Sequence, residues 1–358
     1  MKIGEFMGVL PALAATGIGS VPFLNSQEAV ALILQYLPEI PFWPQMVKLG
    51  FQEDMVPQAA GGLPGLRLDA ENRTVSLDGQ LDREATLTKF YELAMSGELA
   101  SFALHPQEAA GFFDLLAAVQ NQSATSPSFL KGQIAGPVTF AGMVKDQQGK
   151  AILFDREISQ AVTQGLALKA AWQAQEIRRL GKDAVMFFDE PYLTGFGSAF
   201  MPISRAEVIA TLTEAMDICR QYGEVLFGIH CCGNTDWSML LETPVDILSF
   251  DAYGFFDTLI LYGPAVKKFL ARGGYLAWGM VPTSPTEPVQ TVDQLWERFQ
   301  EQVIRLTQTG LDRQALLAQS LLTPACGLAY LTPEQAHQAL AALAELSARS
   351  RDWQTVVN

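Results

Sequence analysis

Short apolar runs rich in Val, Ile, Leu and Phe alternate along the chain with longer segments whose apolar residues recur at helical spacing. This alternation is typical of repeated βα units around a parallel sheet. Eight apolar runs occur, at residues 14–18, 41–46, 129–134, 184–188, 225–229, 245–250, 275–279 and 318–322. They predict an α/β fold, a closed (β/α)8 barrel of the TIM-barrel type.

Two helices are indicated by both periodicity and end signals. Residues 156–180 carry Ile158, Val162 and Leu166 near helical spacing and stop before Gly181. A second helix is predicted to begin at Thr332, because TPEQ supplies a capping threonine, a first-turn proline and a capping-box glutamine. This helix should complete the eighth unit.

Two stretches rich in Gly, Pro, Asn and Ser interrupt the rhythm, at residues 61–80 and 121–128. In the first, LRLD and RTVSLD flank residues 70–72 and predict an inserted β-hairpin. The following residues 81–118 are predicted to be helical. Both interruptions are expected at the surface, and neither requires a second domain, so residues 1–358 are predicted to form one domain.

The composition excludes several classes of protein. Hydrophobic residues make up 49% of the 358 residues and charged residues 17%, which is typical of a globular chain. The net charge of -14, without a basic run, argues against nucleic-acid binding. Pro11, Gly17, Gly19 and Pro22 interrupt the apolar N-terminal segment, so no membrane span is expected. Lys2 is followed by Glu5, which argues against a signal peptide. We expect a cytoplasmic protein.

Four cysteines in a chain of this length, two of them adjacent, do not make a disulfide framework. Metal or redox use is the favoured interpretation. The segment GIHCCGNTD places His230 and Cys232 at the C-terminal end of a predicted strand, the end that holds the active site in barrel enzymes. Two residues apart on an extended segment, their side chains point the same way and can share one ion. Cys231 should then point elsewhere.

A third sulfur ligand is predicted in TPACGL, where Cys326 follows the eighth predicted strand at the same end of the barrel. Asp251, at the end of the sixth, could complete a tetrahedral site. The predicted zinc ligands are His230, Cys232, Asp251 and Cys326. Two alternatives stay open: a structural zinc, or core thiols beside a hydrogen-bonded core histidine.

Such a ligand set has a chemical consequence. Two thiolates make a zinc site electron-rich, so it should activate water poorly but suit a thiol, whose pKa zinc lowers. Asp251 would leave as the substrate sulfur arrives. No catalytic side chain beyond the metal site is predicted.

Four motifs indicate a family: TGIGSVP at residues 16–22, KGQIAGPVT at 131–139, FFDEPYL at 187–193 and HCCGNT at 230–235. With them the chain resembles, over nearly its whole length, the catalytic half of cobalamin-independent methionine synthase. The superfamily also contains uroporphyrinogen decarboxylase and corrinoid methyltransferases.

The resemblance implies roles for particular residues. It places the four predicted ligands on the family's zinc site. It also implies that Ile18, Gly19 and Ser20 hold the carboxylate of a bound amino acid and that Asp189 holds its ammonium group. Trp43 and Gln45 end a predicted strand, and they either line the pocket or pack in the core.

The departures from the family concern the methyl donor. The chain lacks the synthase's N-terminal half, has Gly195 in place of an acidic residue, and has Thr283 and Ser284 near the position of a relay histidine. A substrate-binding glutamate is replaced by Gly61 or Gly62. HCCGNT is also similar to the motif of corrinoid-dependent thiol methyltransferases. The resemblance therefore implies a methyl-corrinoid donor, carried by a partner protein, and a thiol acceptor with homocysteine as the first candidate.

Two other functions remain open. One is a decarboxylase that acts on a tetrapyrrole, supported only by the shared superfamily fold. The other is a non-catalytic protein that binds a corrinoid or a thiol metabolite in a retained site.

Overall fold

A computed structural model of the chain describes residues 8–121, 126–199, 201–286 and 290–356. The strands in chain order are β1 (Leu66–Asp69), β2 (Thr74–Leu77), β3 (Phe129–Ala135), β4 (Asp183–Asp189), β5 (Leu226–Cys231), β6 (Ile247–Phe250), β7 (Tyr275–Val281) and β8 (Ser320–Pro324). The helices are α1 (Ser26–Tyr36), α2 (Met55–Ala60), α3 (Arg83–Met95), α4 (Ala110–Gln120), α5 (Pro137–Met143), α6 (Arg156–Arg179), α7 (Arg205–Arg220), α8 (Trp237–Glu242), α9 (Ala252–Leu259), α10 (Gly263–Ala271), α11 (Val292–Thr307), α12 (Arg313–Ala318) and α13 (Pro333–Val356).

The centre of the fold is a curled parallel sheet of six strands, β3 to β8, which neighbour one another in chain order. A complete eight-stranded barrel is not formed by regular strands. The predicted strands at residues 14–18 and 41–46 contribute only isolated parallel bridges: Ala15 with Leu322, Ser20 with Gln45, and Phe42 with Lys131. Gly17 and Gly19 weaken the first segment, and Pro41 and Pro44 lack the N–H groups that a ladder needs.

The other six predicted strands are confirmed, with β6 and β8 each starting two residues later than expected. β1 and β2 pair in antiparallel fashion, so the inserted hairpin is confirmed. The predicted helical stretch 81–118 is two helices, because α3 ends before Gly97, whose φ of 74° lies in the left-handed region. Of the predicted surface segment 121–128, residues 122–125 lie outside the described residues.

Both helices predicted from end signals are confirmed. Asp155 caps α6 by accepting from the Ile158 N–H. Before α13, Thr332 and Gln335 exchange reciprocal hydrogen bonds of 2.9 and 3.2 Å, which is the expected capping box. Among the described residues, no helix combines the length and hydrophobicity that a transmembrane span requires.

Alternation along each strand divides the sheet into two faces. The outer face packs its apolar residues against the helices, as Phe188 and Phe227 do, with their rings stacked 5.3 Å apart. The inner face carries a smaller apolar cluster that includes Phe187, Ile247 and Leu321. Burying each large apolar side chain contributes roughly 1.5–3 kcal/mol, so these two layers fix the sheet on which the polar strand ends sit.

Candidate metal centre

The C-terminal ends of three neighbouring strands carry polar residues on the inner face. Asp189 of β4 pairs in register with His230 of β5, and His230 pairs with Ser249 of β6. Residues paired across parallel strands point to the same face, so the three side chains form one row inside the curled sheet. Below this row the inner face is mostly apolar. The polar chemistry is therefore concentrated at the strand ends.

Three of the four predicted zinc ligands come together at this row. One ligand atom each of His230, Cys232 and Cys326 lies within 4.8 Å of the other two. His230 lies within β5, Cys232 follows the last residue of that strand, and Cys326 lies two residues beyond β8. The two segments approach because both leave the sheet at its C-terminal edge.

The His230 ring is oriented by one of its nitrogens and leaves the other available. Its Nδ1 lies 3.0 Å from the Ser249 hydroxyl oxygen. Its Nε2 is buried and has no hydrogen-bond partner among the described residues. A buried, unpartnered ring nitrogen is costly unless something absent from the protein alone binds it. An imidazole held from one side, beside two thiols, fits a zinc ion.

The two cysteines are already electronically unequal. The nearby Cys326 thiol lowers the pKa of Cys232, and the nearby His230 ring acts in the same direction. The nearby Cys232 sulfur raises the pKa of Cys326. The proximity of the two sulfurs therefore favours one thiolate in the pair, and the thiolate is the form that binds metals.

Cys231, although adjacent, belongs to a different environment. It lies in the apolar layer between the sheet and the helices, where its S–H donates to the Gly233 carbonyl at 3.5 Å. Burial raises the pKa of its thiol to about 12. This placement confirms that Cys231 points away from Cys232. Cys219, on α7, is likewise buried with a raised thiol pKa of about 12.

Asp251 is not part of the cluster that the structure brings together. Within the described part of the chain, the group of mutually close ligand atoms contains His230, Cys232 and Cys326 alone. Asp251 follows β6 as expected, but it is the N-cap of α9 and accepts a hydrogen bond of 2.7 Å from the Gly254 N–H. Its carboxylate therefore already has a structural role at the helix start.

Asp189 lies beside His230 in the same row and is only 9% exposed. Its Oδ1 has no hydrogen-bond partner among the residues that the structure describes. Burial raises the pKa of Asp189 to about 6, against the opposing influence of the charges on Lys131 and His230. An unpartnered carboxylate oxygen at this depth suits a cationic group of a ligand.

The segment with Ile18, Gly19 and Ser20 adjoins the loop that carries Cys326. The Ser20 carbonyl accepts from the Leu328 N–H at 2.8 Å. A β-carbon on Gly327 would stand 2.1 Å from the Ser20 hydroxyl oxygen, so the two segments are in close contact. In the described structure, the N–H groups of Gly19 and Ser20 donate to no protein group. Free backbone N–H groups suit an anion.

Two residues of uncertain role at the sequence level pack in the interior. Trp43 is fully buried, and its Nε1 donates to the Gln173 side chain at 3.0 Å. Gln45 is 7% exposed and donates to Gln58 at 3.1 Å. Among the positions that depart from the family, Gly61 faces a carboxylate: a β-carbon there would stand 3.4 Å from Glu108 Oε2.

Three polar residues of the site were not identified from the sequence. Ser249 orients His230. The sequence signal that could have identified it is its location two residues before Asp251, at an inward-facing position of the strand. Lys131 is buried in the mostly apolar run that forms β3, which is itself a signal. Glu190 is fully buried and accepts from the Val138 and Thr139 N–H groups at 3.0 and 2.7 Å. It ties the loop after Asp189 to the start of α5.

Comparison with known proteins shows the fold. No protein-family model matches the chain, and no similar curated protein is found. The chain is similar in structure to a B12-independent methionine synthase from Shewanella sp. W3-18-1 in complex with selenomethionine, with a TM-score of 0.55 and 14% identity. That match covers 96% of this chain and 99% of the other. A second match is a GH113 beta-mannanase, AaManA from Alicyclobacillus acidocaldarius in complex with ManMIm. This match covers 67% of this chain and 79% of the other, at 13% identity. Its TM-score of 0.37 is too low to indicate a shared fold.

Proposed function

We propose that the protein is a zinc-dependent methyltransferase whose acceptor is a thiol, with homocysteine as the first candidate. One observation carries the proposal: a ring nitrogen of His230 converges with two cysteine sulfurs to within 4.8 Å, and the Nε2 of that ring is buried without a hydrogen-bond partner among the described residues. The fold is similar to that of a B12-independent methionine synthase, which agrees with this chemistry without establishing it. We also propose that the isolated bridges of residues 15, 20 and 42 close the sheet into a barrel.

The proposed ligands are His230, Cys232 and Cys326. When bound, a zinc ion would supply the positive charge that lowers the pKa of an incoming thiol. The protein contributes preorganisation: Ser249 holds the imidazole, and the groups around Cys232 lower the pKa of its thiol. Since one imidazole and two thiolates leave one tetrahedral position, the site can accept a substrate sulfur there.

The rest of the substrate would be held by groups around the cluster. Asp189, with its unpartnered Oδ1, would accept hydrogen bonds from an ammonium group, while the N–H groups of Gly19 and Ser20 would donate to a carboxylate. An α-amino acid with a thiol side chain offers all three features. In the methyl transfer, the S–C bond forms as the bond between the methyl carbon and its donor breaks, so no protein nucleophile is needed.

A methyl-corrinoid, delivered by a partner protein, is the donor that we propose. The support is the similarity of HCCGNT to the motif of corrinoid-dependent thiol methyltransferases, together with Gly195 in the loop after β4. Chain length does not bear on the donor, because a B12-independent synthase is matched over 99% of its own chain. Methyl-folate is therefore the donor against which the proposal must be tested.

The test is the formation of methionine from homocysteine, measured separately with methylcobalamin and with methyltetrahydrofolate. We expect methionine with methylcobalamin, its loss after treatment with a chelator, and its loss in Cys232→Ala. The matched control is Cys231→Ala, which removes the adjacent thiol on the outer face and should keep activity. Turnover with methyltetrahydrofolate and none with methylcobalamin would overturn the proposal that the donor is a methyl-corrinoid. Binding of the thiol without any methylated product would favour a carrier, and decarboxylation of a porphyrinogen would favour the decarboxylase.

A further inference from the structure

Lys131 is a charged residue placed where stability does not call for one. It lies on β3, is 1% exposed, and faces the inside of the curled sheet. Taking an ammonium group out of water costs several kcal/mol, and an apolar side chain of similar size would avoid that cost. Burial lowers the pKa of Lys131 to about 8, which agrees with this cost. The residue therefore requires an explanation in terms of what it contacts.

Its contacts lead to the segment that we assign to substrate binding. The Lys131 ammonium donates to the Ile18 carbonyl at 2.6 Å and to Gln133 Oε1 at 3.2 Å. It also lies 4.5 Å from the centre of the Phe187 ring. Gln133 in turn donates to the Trp43 carbonyl at 2.9 Å. Lys131 is thus the buried end of a hydrogen-bond chain that fixes the Ile18 peptide from below.

Fixing the Ile18 carbonyl also fixes the next N–H group. The described backbone has no cis peptide bonds, and in a planar trans peptide the C=O and the following N–H point in opposite directions. The Gly19 N–H must therefore point away from Lys131. It donates to no group of the described protein. A charged donor on the carbonyl also polarises the peptide, which makes its N–H a stronger donor.

Lys131 binds the Ile18 carbonyl without forming an ion pair with the Asp189 carboxylate. The two charged groups influence each other, but they form no direct ion pair, and Asp189 Oδ1 has no hydrogen-bond partner within the described residues. The lysine therefore leaves the carboxylate available for the ammonium group of a ligand.

We propose that Lys131 is a positioning residue that orients and polarises the Ile18–Gly19 peptide so that its N–H binds the carboxylate of the thiol substrate. This inference rests on the function proposed above. It makes Lys131 a determinant of specificity: thiols that carry an α-carboxylate depend on it, and thiols without one do not.

The experiment compares two thiols on the zinc-loaded protein by calorimetry: homocysteine, and 3-aminopropane-1-thiol, which is homocysteine without its carboxylate. We expect Lys131→Met to weaken homocysteine binding about tenfold or more, while the affinity for the aminothiol stays within about twofold. Bound zinc should be unchanged. Lys169→Met is the matched control, because Lys169 is equally buried, at 1% exposure, but lies on α6. It should leave the ratio of the two affinities as in the wild type.

A purely structural lysine would give a different pattern. Equal weakening of both thiols, or homocysteine affinity within about twofold of the wild type in Lys131→Met, would overturn the inference. If Lys131→Met does not fold, Lys131→Gln is measured by the same criterion. If the zinc-loaded wild type binds neither thiol, the proposed function itself fails and the inference with it. Failure of the inference alone leaves wild-type binding intact.

Discussion

The Ser249 hydroxyl lies 3.0 Å from His230 Nδ1, across the paired ends of β5 and β6. This contact occupies Nδ1 and leaves Nε2 for a ligand, because the ring can rotate only if the contact is broken. Groups that orient a histidine ligand commonly contribute 10- to 100-fold to metal affinity. We therefore expect Ser249→Ala to weaken zinc binding by roughly 10- to 100-fold, as measured by competition with a chromophoric chelator. Unchanged affinity would mean that the ring is held by packing alone.

Asp251 offers a direct test of cap against ligand. Asp251 is the N-cap of α9, so Asp251→Ala should lower the free energy of unfolding by about 1 kcal/mol. Asp251→Asn should lower it less, because Asn also caps helices well. Neither change should alter zinc content, because the carboxylate lies outside the cluster. Urea denaturation and metal analysis on both variants provide the check. Loss of zinc from Asp251→Asn would show that Asp251 is a ligand.

The contact between Gly327 and Ser20 should be sensitive to a single methyl group. A β-carbon at residue 327 would approach the Ser20 hydroxyl oxygen to 2.1 Å, so in Gly327→Ala either the Ser20 hydroxyl must rotate away or the two segments must separate. We expect a loss of about 1–3 kcal/mol in unfolding free energy. Adding Ser20→Ala removes the clashing oxygen and should recover most of the lost stability, as measured by thermal denaturation. A double variant no more stable than Gly327→Ala would show that the clash lies elsewhere.

Lys169 should give the protein a pH-dependent stability. Burial lowers its pKa from 10.5 to about 8. The unfolded chain therefore binds more protons between pH 8 and 10.5, so stability rises with pH across that window. Below pH 8 the full cost is present, and Lys169→Met should be more stable than the wild type by up to about 3 kcal/mol.

Urea denaturation from pH 7 to 10.5 measures this difference. The advantage of Lys169→Met should shrink as the pH rises above 8. Lys89→Met, a change at an exposed lysine of α3, is the control and should follow the wild-type curve. Parallel curves for Lys169→Met and the wild type would contradict the prediction.

The convergence of the three side chains could be predicted from the sequence because its signals are local. His230 and Cys232 are two residues apart at a strand end, and Cys326 follows another strand, so a correct strand order was enough to bring them together. The shift of β8 by two residues did not affect this prediction, because Cys326 still follows the C-terminal end of the strand. The outward placement of Cys231 followed from alternation alone.

The parts that could not be predicted depend on competition between local and distant partners. An aspartate after a strand can serve a metal or cap a helix, and at Asp251 the nearby Gly254 N–H provides the cap. The Ser249 partner of His230 is set by the register of two strands, 19 residues apart in sequence. Likewise, apolar runs with Pro41 and Pro44 read as strands, although the missing N–H groups leave only isolated bridges.

Zinc stoichiometry tests the central claim most directly. Protein purified with zinc and without chelator should contain about one zinc per chain, and Cys232→Ala and Cys326→Ala should lose it. Cys231→Ala should keep it, because that thiol faces the helices. X-ray absorption should then report one nitrogen and two sulfur ligands from the protein. A folded wild type that holds no zinc under these conditions, or a Cys232→Ala variant that retains it in full, would contradict the account.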